Sequence, residues 1–214
     1  MANRSHLYSG DYIPDGKRRD LLGISEWNWD IPLVHKILIS GSPQACRSTI
    51  WDIPDKIAIV GNYEEGVAKL RAFLGRIERE DARPLVDEAL QFLDDEANRR
   101  KYFVLECGEI YELGTDEDFA RANAALIDEV SQIENAFDAA LESLKPQPPR
   151  LPTLGERFRK WLRDRIRVRL HPEGPPDPLE PVYKLGLGNW SNILYYDCSG
   201  PTTDHEKSEG RLSG

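Results

Sequence analysis

Three residues at the end of one apolar run carry side chains that could do acid–base or nucleophilic chemistry. Glu106, Cys107 and Glu109 follow the run from Tyr102 to Leu105 and surround a glycine. Paired carboxylates can share proton transfers, and a thiolate beside a base can act as a nucleophile. With 37 Asp and Glu residues, however, some carboxylates must cluster by chance. We therefore hold an enzyme of unknown class at these residues as an alternative to a binding function.

The cysteines and histidines do not form a metal motif. Structural zinc sites bring pairs of ligands close together in sequence. Here the candidates are scattered: Cys46, Cys107, Cys198, His6, His35, His171 and His205. The sequence therefore predicts neither a metal nor another cofactor. Three separated cysteines are also typical of a reducing compartment.

Charge is distributed unevenly along the chain, whose net charge is -9. Residues 1–60 are neutral overall, with 7 acidic and 7 basic side chains, and residues 146–214 carry 9 acidic and 11 basic ones. Residues 61–145 carry 21 acidic and 10 basic side chains, a net charge of -11. An acidic surface steers cationic partners. We expect such a surface at Glu112, Asp116, Glu117, Asp118, Asp128 and Glu129.

A basic segment lies in the last third of the chain. Between Glu156 and Arg169 there are seven Arg and Lys residues and two acidic ones, a net charge of +5. Apolar residues recur there at helical spacing, which predicts an amphipathic helix over residues 154–170 with its basic face at 157–169. We favour docking of this face on acidic residues of the same chain. A solvated face, or a contact with nucleic acid or a membrane surface, is the alternative.

The tryptophans are more informative than the ionisable groups. The sequence Trp-Asp-Ile-Pro occurs twice, beginning at Trp29-Asp30 and at Trp51-Asp52, and Asn189-Trp190 adds a third indole with polar neighbours. Tryptophan with polar neighbours is typical of protein-binding hot spots. If the three indoles share a surface, they form a binding patch for a partner. Packing in the core is the alternative for each of them.

Hydrophobic periodicity predicts the elements that position these residues. We expect a helix capped by Asp30 and ending at Ile39, and helices after Tyr63 and after Asp81. The predicted strands are 56–60, a pair at 102–105 and 109–112 that turns near Gly108, and closing strands at 183–185 and 193–196. The longest predicted helix runs from about Asp116 to Lys145 and begins with acidic residues.

These elements predict a single α+β domain over residues 1–200. Its mixed or antiparallel sheet is formed by both ends of the chain and the middle strand pair, and is layered with four or five helices, including the long acidic one. Residues 146–153 form a proline-rich internal linker, and residues 201–214 a polar, disordered tail. We expect no membrane span and no secretory signal, and hence a cytoplasmic protein.

Several short motifs resemble an uncharacterised bacterial family whose members begin with Met-Ala-Asn-Arg-Ser, an aromatic residue and Leu-Tyr. In this chain His6 replaces the aromatic residue. Further similar segments are Gly23–Glu26, Asp30–Leu33, Ser48–Asp52, Ile57–Gly61, Leu105–Glu109 and Leu187–Asn192. The resemblance carries over no catalytic residue. It implies a small, acidic protein of the kind that includes antitoxins and immunity proteins.

The leading hypothesis is thus a non-enzymatic protein-binding module. Its most concrete form is an immunity-type protein that neutralises a basic bacterial toxin domain with its acidic surface. The enzyme at residues 106–109 is one alternative. An adaptor that binds nucleic acid or a membrane surface through residues 157–169 is the other, and the net negative charge disfavours nucleic acid. The sequence leaves the oligomeric state open.

Overall fold

The computed structural model describes residues 3–16, 20–113, 118–145 and 177–199. The strands are β1 (Arg4–Gly10), β2 (Leu22–Asn28), β3 (Gln44–Cys46), β4 (Ala58–Asn62) and β5 (Tyr102–Glu106). The α-helices are α1 (Leu33–Ile39), α2 (Tyr63–Leu74), α3 (Arg83–Asp94), α4 (Gly108–Tyr111), α5 (Phe119–Ser131), α6 (Phe137–Ser143) and α7 (Glu180–Tyr183). The strands form one antiparallel sheet in the order β2-β1-β5-β4-β3. The predicted α+β class is therefore confirmed.

The two faces of the sheet are covered differently. Successive side chains of a strand point to opposite faces. Leu7, Ile59 and Leu105 belong to the main core, which they share with the helices. Tyr8 and Val104 belong to a smaller apolar cluster whose other members come from strands and connecting segments, including Leu194 and Cys198. Among the described residues, the second face is thus covered by strands and connecting segments rather than by helices.

Helices α1 and α2 pack with their backbones close together. Asn62 caps α2 by accepting a hydrogen bond of 3.0 Å from the backbone N–H of Glu65. Gly66, in the first half of α2, lies so near the backbone of Leu38 that a β-carbon would overlap it. A glycine at this position allows the close approach. This packing holds α1 against the sheet and thereby fixes the end of β2 that leads into it.

The predicted strand at 109–112 is wrong, because those residues belong to the short helix α4 and its end. Strand β5 is central in the sheet and already pairs with β1 and β4, so a hairpin partner has no free edge. The backbone N–H groups of Ile110 and Tyr111 instead bond to the carbonyl of Cys107. Gly108 does not turn a hairpin. It allows contact with Trp51, whose ring a β-carbon would overlap.

The predicted long helix is interrupted. Helix α5 ends at Ser131, a 3-10 turn spans Ile133–Ala136, and α6 follows. The apolar residues on either side of the break, including Val130, Ile133 and Phe137, are all buried. The apolar stripe was therefore predicted correctly, but the chain changes direction at Gln132 to keep the stripe on a curved core.

The predicted closing strands are also absent from the part of the C-terminal region that the structure describes. Residues 180–183 form α7, and residues 193–196 form no strand. Its β-type pairing with the sheet, among the described residues, is a bridge between Ser25 and Trp190, beside a hydrogen bond of 3.1 Å from the Ser191 N–H to the Ile24 carbonyl. The side-chain amide of Asn192 also donates a hydrogen bond of 2.8 Å to the Gly23 carbonyl. The sheet is therefore built from residues 4–106.

Three predicted segments cannot be compared with the fold. The linker at 146–153, the basic segment at 154–170 and the tail at 201–214 lie outside the described residues. Within the described ranges, no helix combines the length and the apolar character that crossing a membrane requires.

Candidate functional site

Strand pairing brings four polar residues together on the second face of the sheet, opposite the helices. Arg4 lies opposite Asn28 and His6 lies opposite Glu26 in the pairing of β1 with β2. Since residues two apart in a strand share a face, all four side chains lie on one side. Glu106 lies opposite His6 on β5 and belongs to the same face.

Arg4 is held against an exposed aromatic ring. Its guanidinium Nε donates a hydrogen bond of 2.9 Å to the Asn28 side chain and lies 3.7 Å from a Glu26 carboxylate oxygen. The guanidinium carbon lies 4.6 Å from the centre of the Tyr195 ring, a cation–π contact. The backbone N–H of Tyr195 also donates to Glu26 at 2.9 Å. Segment 193–196 is therefore tied to β1 and β2 by charge-assisted contacts.

A buried histidine lies behind this contact. Only 1% of His6 is exposed, and neither ring nitrogen has a hydrogen-bond partner among the described residues. Nδ1 lies 3.5 Å from Glu26, and Nε2 lies 4.0 Å from Glu109. Burial lowers the pKa of His6 despite both carboxylates, so its imidazole is neutral at pH 7. The ring of Tyr196 packs edge-on against it with centroids 5.2 Å apart.

Glu109 joins α4 to this face. Its carboxylate accepts hydrogen bonds from the Arg4 backbone N–H at 2.7 Å and from the Tyr196 hydroxyl at 3.0 Å. Its backbone carbonyl accepts another, of 2.7 Å, from the Asn3 side chain. Burial, followed by the hydrogen bond to Glu109, raises the pKa of Tyr196. This carboxylate organises the site rather than standing free for proton transfer.

A cavity of about 500 Å³ opens beside these residues, between the outer edge of β2 and the segment that follows α7. Its wall combines charged, amide and aromatic groups. The lining residues are Arg4, Glu26, Trp27, Asn28, Gly188, Asn189, Trp190, Ser191, Ile193 and Leu194. The buried indole N–H of Trp190 has no hydrogen-bond partner among the described residues.

Large apolar side chains are exposed on residues that line this cavity or lie next to its lining residues in the chain or in space. Ile193 is 89% exposed, Tyr195 56% and Trp29 58%. Trp29 directly follows Asn28 at the end of β2 and has a left-handed backbone, with φ 68°. Such a conformation is costly for a residue with a bulky side chain. We call the residues Arg4, Trp27, Trp29, Ile193 and Tyr195 the β2 surface.

The structure shows no ring contact among the three predicted indoles within the described residues. Trp190 and Asn189 line the cavity, and Trp29 follows the lining residue Asn28 in the chain. Trp51 packs edge-on against Phe119 of α5 with ring centroids 6.2 Å apart. Its neighbour Asp52 is exposed in the loop before β4.

The two Trp-Asp-Ile-Pro corners also differ. The Asp30 carboxylate accepts a hydrogen bond of 2.7 Å from the Ile31 N–H as the chain enters α1. Asp30 also accepts one of 2.9 Å from the Ser5 hydroxyl through its backbone carbonyl. The second corner, by contrast, leads into an irregular loop.

The predicted catalytic group does not form one cleft. Cys107 is fully buried, and burial raises the pKa of its thiol, which disfavours the reactive thiolate. The Glu106 carboxylate is buried and accepts hydrogen bonds of 2.6 Å from the Ser48 hydroxyl and from the Thr49 N–H. Glu109 is directed to His6 and Tyr196, as described above.

The predicted acidic surface is described in part. Glu112 and Asp118 are exposed, and Asp118 accepts a hydrogen bond of 3.0 Å from the Arg121 N–H as the cap of α5. Asp128 is exposed, and Glu129 pairs with Lys36 at 2.8 Å. Asp116, Glu117 and the basic residues 157–169 lie outside the described residues.

Sequence reasoning missed Arg4, His6, Glu26, Ile193 and Tyr195. Arg4 and His6 are two residues apart, which is the spacing of one strand face. That spacing was the available signal, but it does not identify the partner strand.

Among the described residues there is no group of three Asp, Glu, His or Cys side chains that could hold a metal ion.

Comparison with known proteins places the chain in a family without assigning an activity. The family model described as a domain of unknown function, DUF7822, matches residues 11–147. No curated protein and no solved structure matches the chain. Strands β2 to β5 lie inside the matched range, whereas Arg4, His6, Ile193 and Tyr195 lie outside it. Much of the β2 surface is thus formed by parts of the chain beyond the family domain.

Proposed function

The chain belongs to the DUF7822 family, a domain of unknown function, and we propose that it is a non-enzymatic protein-binding module that recognises its partner through the β2 surface. The observation that carries this proposal is the exposure of three large side chains at or next to the residues that line one cavity. Ile193 lines the cavity, Tyr195 contacts the lining residue Arg4, and Trp29 follows the lining residue Asn28 in the chain. Large apolar side chains grouped on a protein surface mark interaction sites, and aromatic residues dominate their binding energy.

The backbone of Trp29 supports this interpretation. A tryptophan with a left-handed backbone conformation lowers the stability of the fold. Because 58% of Trp29 is exposed, that part of the side chain contributes no burial energy to offset the cost. Its N–H is held by a hydrogen bond of 2.7 Å to the Asn3 carbonyl. The fold therefore maintains a strained, exposed indole, which is typical of a residue presented to a ligand.

The charges around the β2 surface favour a cationic partner. Glu26 and Glu109 lie beside it on β2 and α4, and their carboxylates already accept hydrogen bonds from Tyr195 and Tyr196. Asp30 and Glu112, on adjoining segments, are exposed and leave a negative charge towards the solvent. Arg4 is the one cation of the defined surface, and its guanidinium is already engaged by Asn28 and Tyr195. A partner with Lys or Arg around an apolar centre would match these groups.

In its narrowest form, this partner is a basic toxin domain and the protein is its immunity-type inhibitor. The net charge of -9 supports that form, because it would accelerate association with a cationic protein. The enzyme alternative has less support, since Cys107 and Glu106 are buried. The nucleic-acid or membrane adaptor also has less support at this site, because the β2 surface contains a single arginine.

Affinity capture with matched variants tests the proposal. The tagged full-length protein, Trp29→Ser, Ile193→Ser and the control Ile13→Ser are incubated with a lysate of the source organism at low and moderate salt. Ile13 is 42% exposed, but it lies in the segment between β1 and β2 and not on the β2 surface. Retained species are quantified by mass spectrometry, and the affinity of the purified partner is then measured for all four proteins.

The proposal expects a basic protein that binds wild type and the Ile13 variant and is lost from both β2-surface variants. An affinity loss of about 10- to 30-fold for Trp29→Ser corresponds to a hot-spot aromatic residue. Equal binding by all four proteins would move the interface elsewhere on the chain. Recovery of nucleic acid in place of protein would favour the adaptor.

A further inference from the structure

A second groove lies on the helical side of the molecule, away from the β2 surface. It runs between the end of α2 and helix α6 and has a volume of about 1010 Å³. We call it the Arg79 groove. Its lining residues are Gly75, Arg76, Ile77, Glu78, Arg79, Glu80, Asp81, Asp138, Leu141, Glu142, Leu144 and Lys145.

Both ends of the segment 146–176 meet at this groove. Arg79 donates one hydrogen bond to the Leu144 carbonyl at 3.4 Å and another to the Pro178 carbonyl at 2.9 Å. One guanidinium therefore joins the chain just before the segment to the chain just after it. The described residues on both sides of this segment of 31 residues therefore lie at the same guanidinium group.

The groove and the segment have complementary charges. The groove carries five carboxylates and three cations, a net charge of -2. Glu78 and Glu80 are exposed and form no salt bridge with the described residues. Residues 156–169 carry a net charge of +5. Opposite charges held at short range by the chain itself attract with a high effective concentration.

The apolar groups are complementary as well. Ile77, Leu141 and Leu144 contribute apolar surface between the carboxylates of the groove. The basic segment carries its own apolar residues at helical spacing: Leu154, Phe158, Trp161, Leu162 and Ile166. An amphipathic segment needs an apolar surface to cover that stripe.

We propose that residues 154–170 of this chain are the occupant of the Arg79 groove, with their arginines paired to its carboxylates. The inference is independent of the β2 surface. It explains how a strongly basic segment can belong to an acidic protein without being a site for nucleic acid.

Hydrogen–deuterium exchange of the full-length protein tests the proposal through peptides from residues 154–170. In wild type we expect slow exchange that becomes faster between low and high salt. Glu78→Lys combined with Glu80→Lys should speed the exchange roughly tenfold, because the two exposed carboxylates without a salt bridge to the described residues become cations. The matched control Glu88→Lys, an exposed position on α3, should leave the exchange unchanged.

Two further variants keep the test decisive. Adding Arg159→Glu and Arg163→Glu to the groove variant should restore the slow exchange, whereas a groove variant that merely fails to fold would not be rescued. Glu78→Gln with Glu80→Gln provides a milder version, in which folding is checked by thermal unfolding. Exchange that is complete at the earliest time in wild type, or unaffected by the groove variants, would overturn the proposal. Protection that depends on protein concentration would also overturn it, in favour of a second copy.

Discussion

The Ser48 hydroxyl donates a hydrogen bond of 2.6 Å to the carboxylate of Glu106, and both side chains are buried. The second carboxylate oxygen accepts the N–H of Thr49. The Ser48 oxygen in turn accepts the N–H groups of Ile50 and Trp51 at 3.0 and 2.8 Å. One buried carboxyl group thus holds the loop between β3 and β4 against the centre of the sheet.

The Glu106 contact makes stability depend on pH. Burial raises the pKa of Glu106 from 4.5 to about 7, although the hydrogen bonds from Ser48 and Thr49 oppose the shift. Between pH 4.5 and about pH 7, Glu106 is therefore protonated in the native state and deprotonated in the unfolded state. The stabilising contribution is complete below pH 4.5 and is lost as the pH rises through 7, a change of roughly 3 kcal/mol.

Glu106→Gln should remove this dependence. Relative to wild type, the variant gains roughly 3 kcal/mol in free energy of unfolding from pH 4.5 to pH 7.5. Urea unfolding across this range measures the difference, and Glu88→Gln, at an exposed position, is the control. A difference between Glu106→Gln and wild type that stays constant with pH would show that Glu106 titrates normally.

His35 contributes a pH dependence of the opposite sign. It is fully buried in α1, and neither ring nitrogen has a hydrogen-bond partner among the described residues. Burial, with a smaller effect of His6, lowers the pKa of His35 from 6.5 to about 3. Below pH 6.5 the imidazole of His35 binds a proton in the unfolded state but not in the native state. The free energy of unfolding therefore falls as the pH drops towards 3.

His35→Leu should stabilise the protein most at acidic pH. Its gain over wild type should be roughly 2 kcal/mol larger at pH 5 than at pH 7.5. Chemical denaturation at both pH values tests this, with the neighbouring buried substitution Ile37→Leu as a control whose effect should not change with pH. An equal effect of His35→Leu at the two values would mean that the native imidazole binds its proton with the ordinary pKa of histidine.

The helical layer was the most predictable part of the fold. In α2, α5 and α6 the apolar residues that recur about every 3.6 positions are the ones that are buried. They include Leu70, Phe73, Leu126 and Val130. Local periodicity does not reveal how strands pair, and this is where the predictions were wrong. The run after Gly108 resembled a strand, but β5 had both edges occupied by β1 and β4.

The candidate site was less predictable for the same reason. Arg4 and Tyr195 are 191 residues apart, and their contact depends on the path of the chain after α7. Asn189 and Trp190 were predicted as partner-binding residues and line the cavity, but Trp190, like Trp51, also packs against the main core. Spacing identifies the face of an element, but not the element that covers it.

The backbone of Trp29 predicts an unusual order of stability among its variants. Asparagine tolerates the left-handed region better than alanine, and both remove the indole. Trp29→Asn should therefore be more stable than Trp29→Ala by about 0.5 to 1 kcal/mol. Thermal and urea unfolding of the pair provide the measurement. If alanine is equal or better, Trp29 does not occupy the left-handed conformation in solution.

The contact of Gly66 with Leu38 predicts that a helix-favouring substitution destabilises the protein. In an exposed helix interior, Gly→Ala adds about 1 kcal/mol of stability. In α2 the new β-carbon would overlap the Leu38 backbone, so α1 would have to move. Gly66→Ala should therefore cost about 3 kcal/mol, as overpacked sites do.

Gly75→Ala is the matched control for this prediction. Gly75 ends the same helix with φ -62°, and the nearest atom to a new β-carbon, the Arg71 carbonyl oxygen, is 3.3 Å away. Its effect on the free energy of urea unfolding should stay within about 0.5 kcal/mol, as at other unconstrained positions. Since α1 follows directly from the segment that carries Trp29, Gly66→Ala should also weaken partner binding at the β2 surface. Wild-type stability for Gly66→Ala would mean that α1 and α2 lie farther apart than their backbones do here.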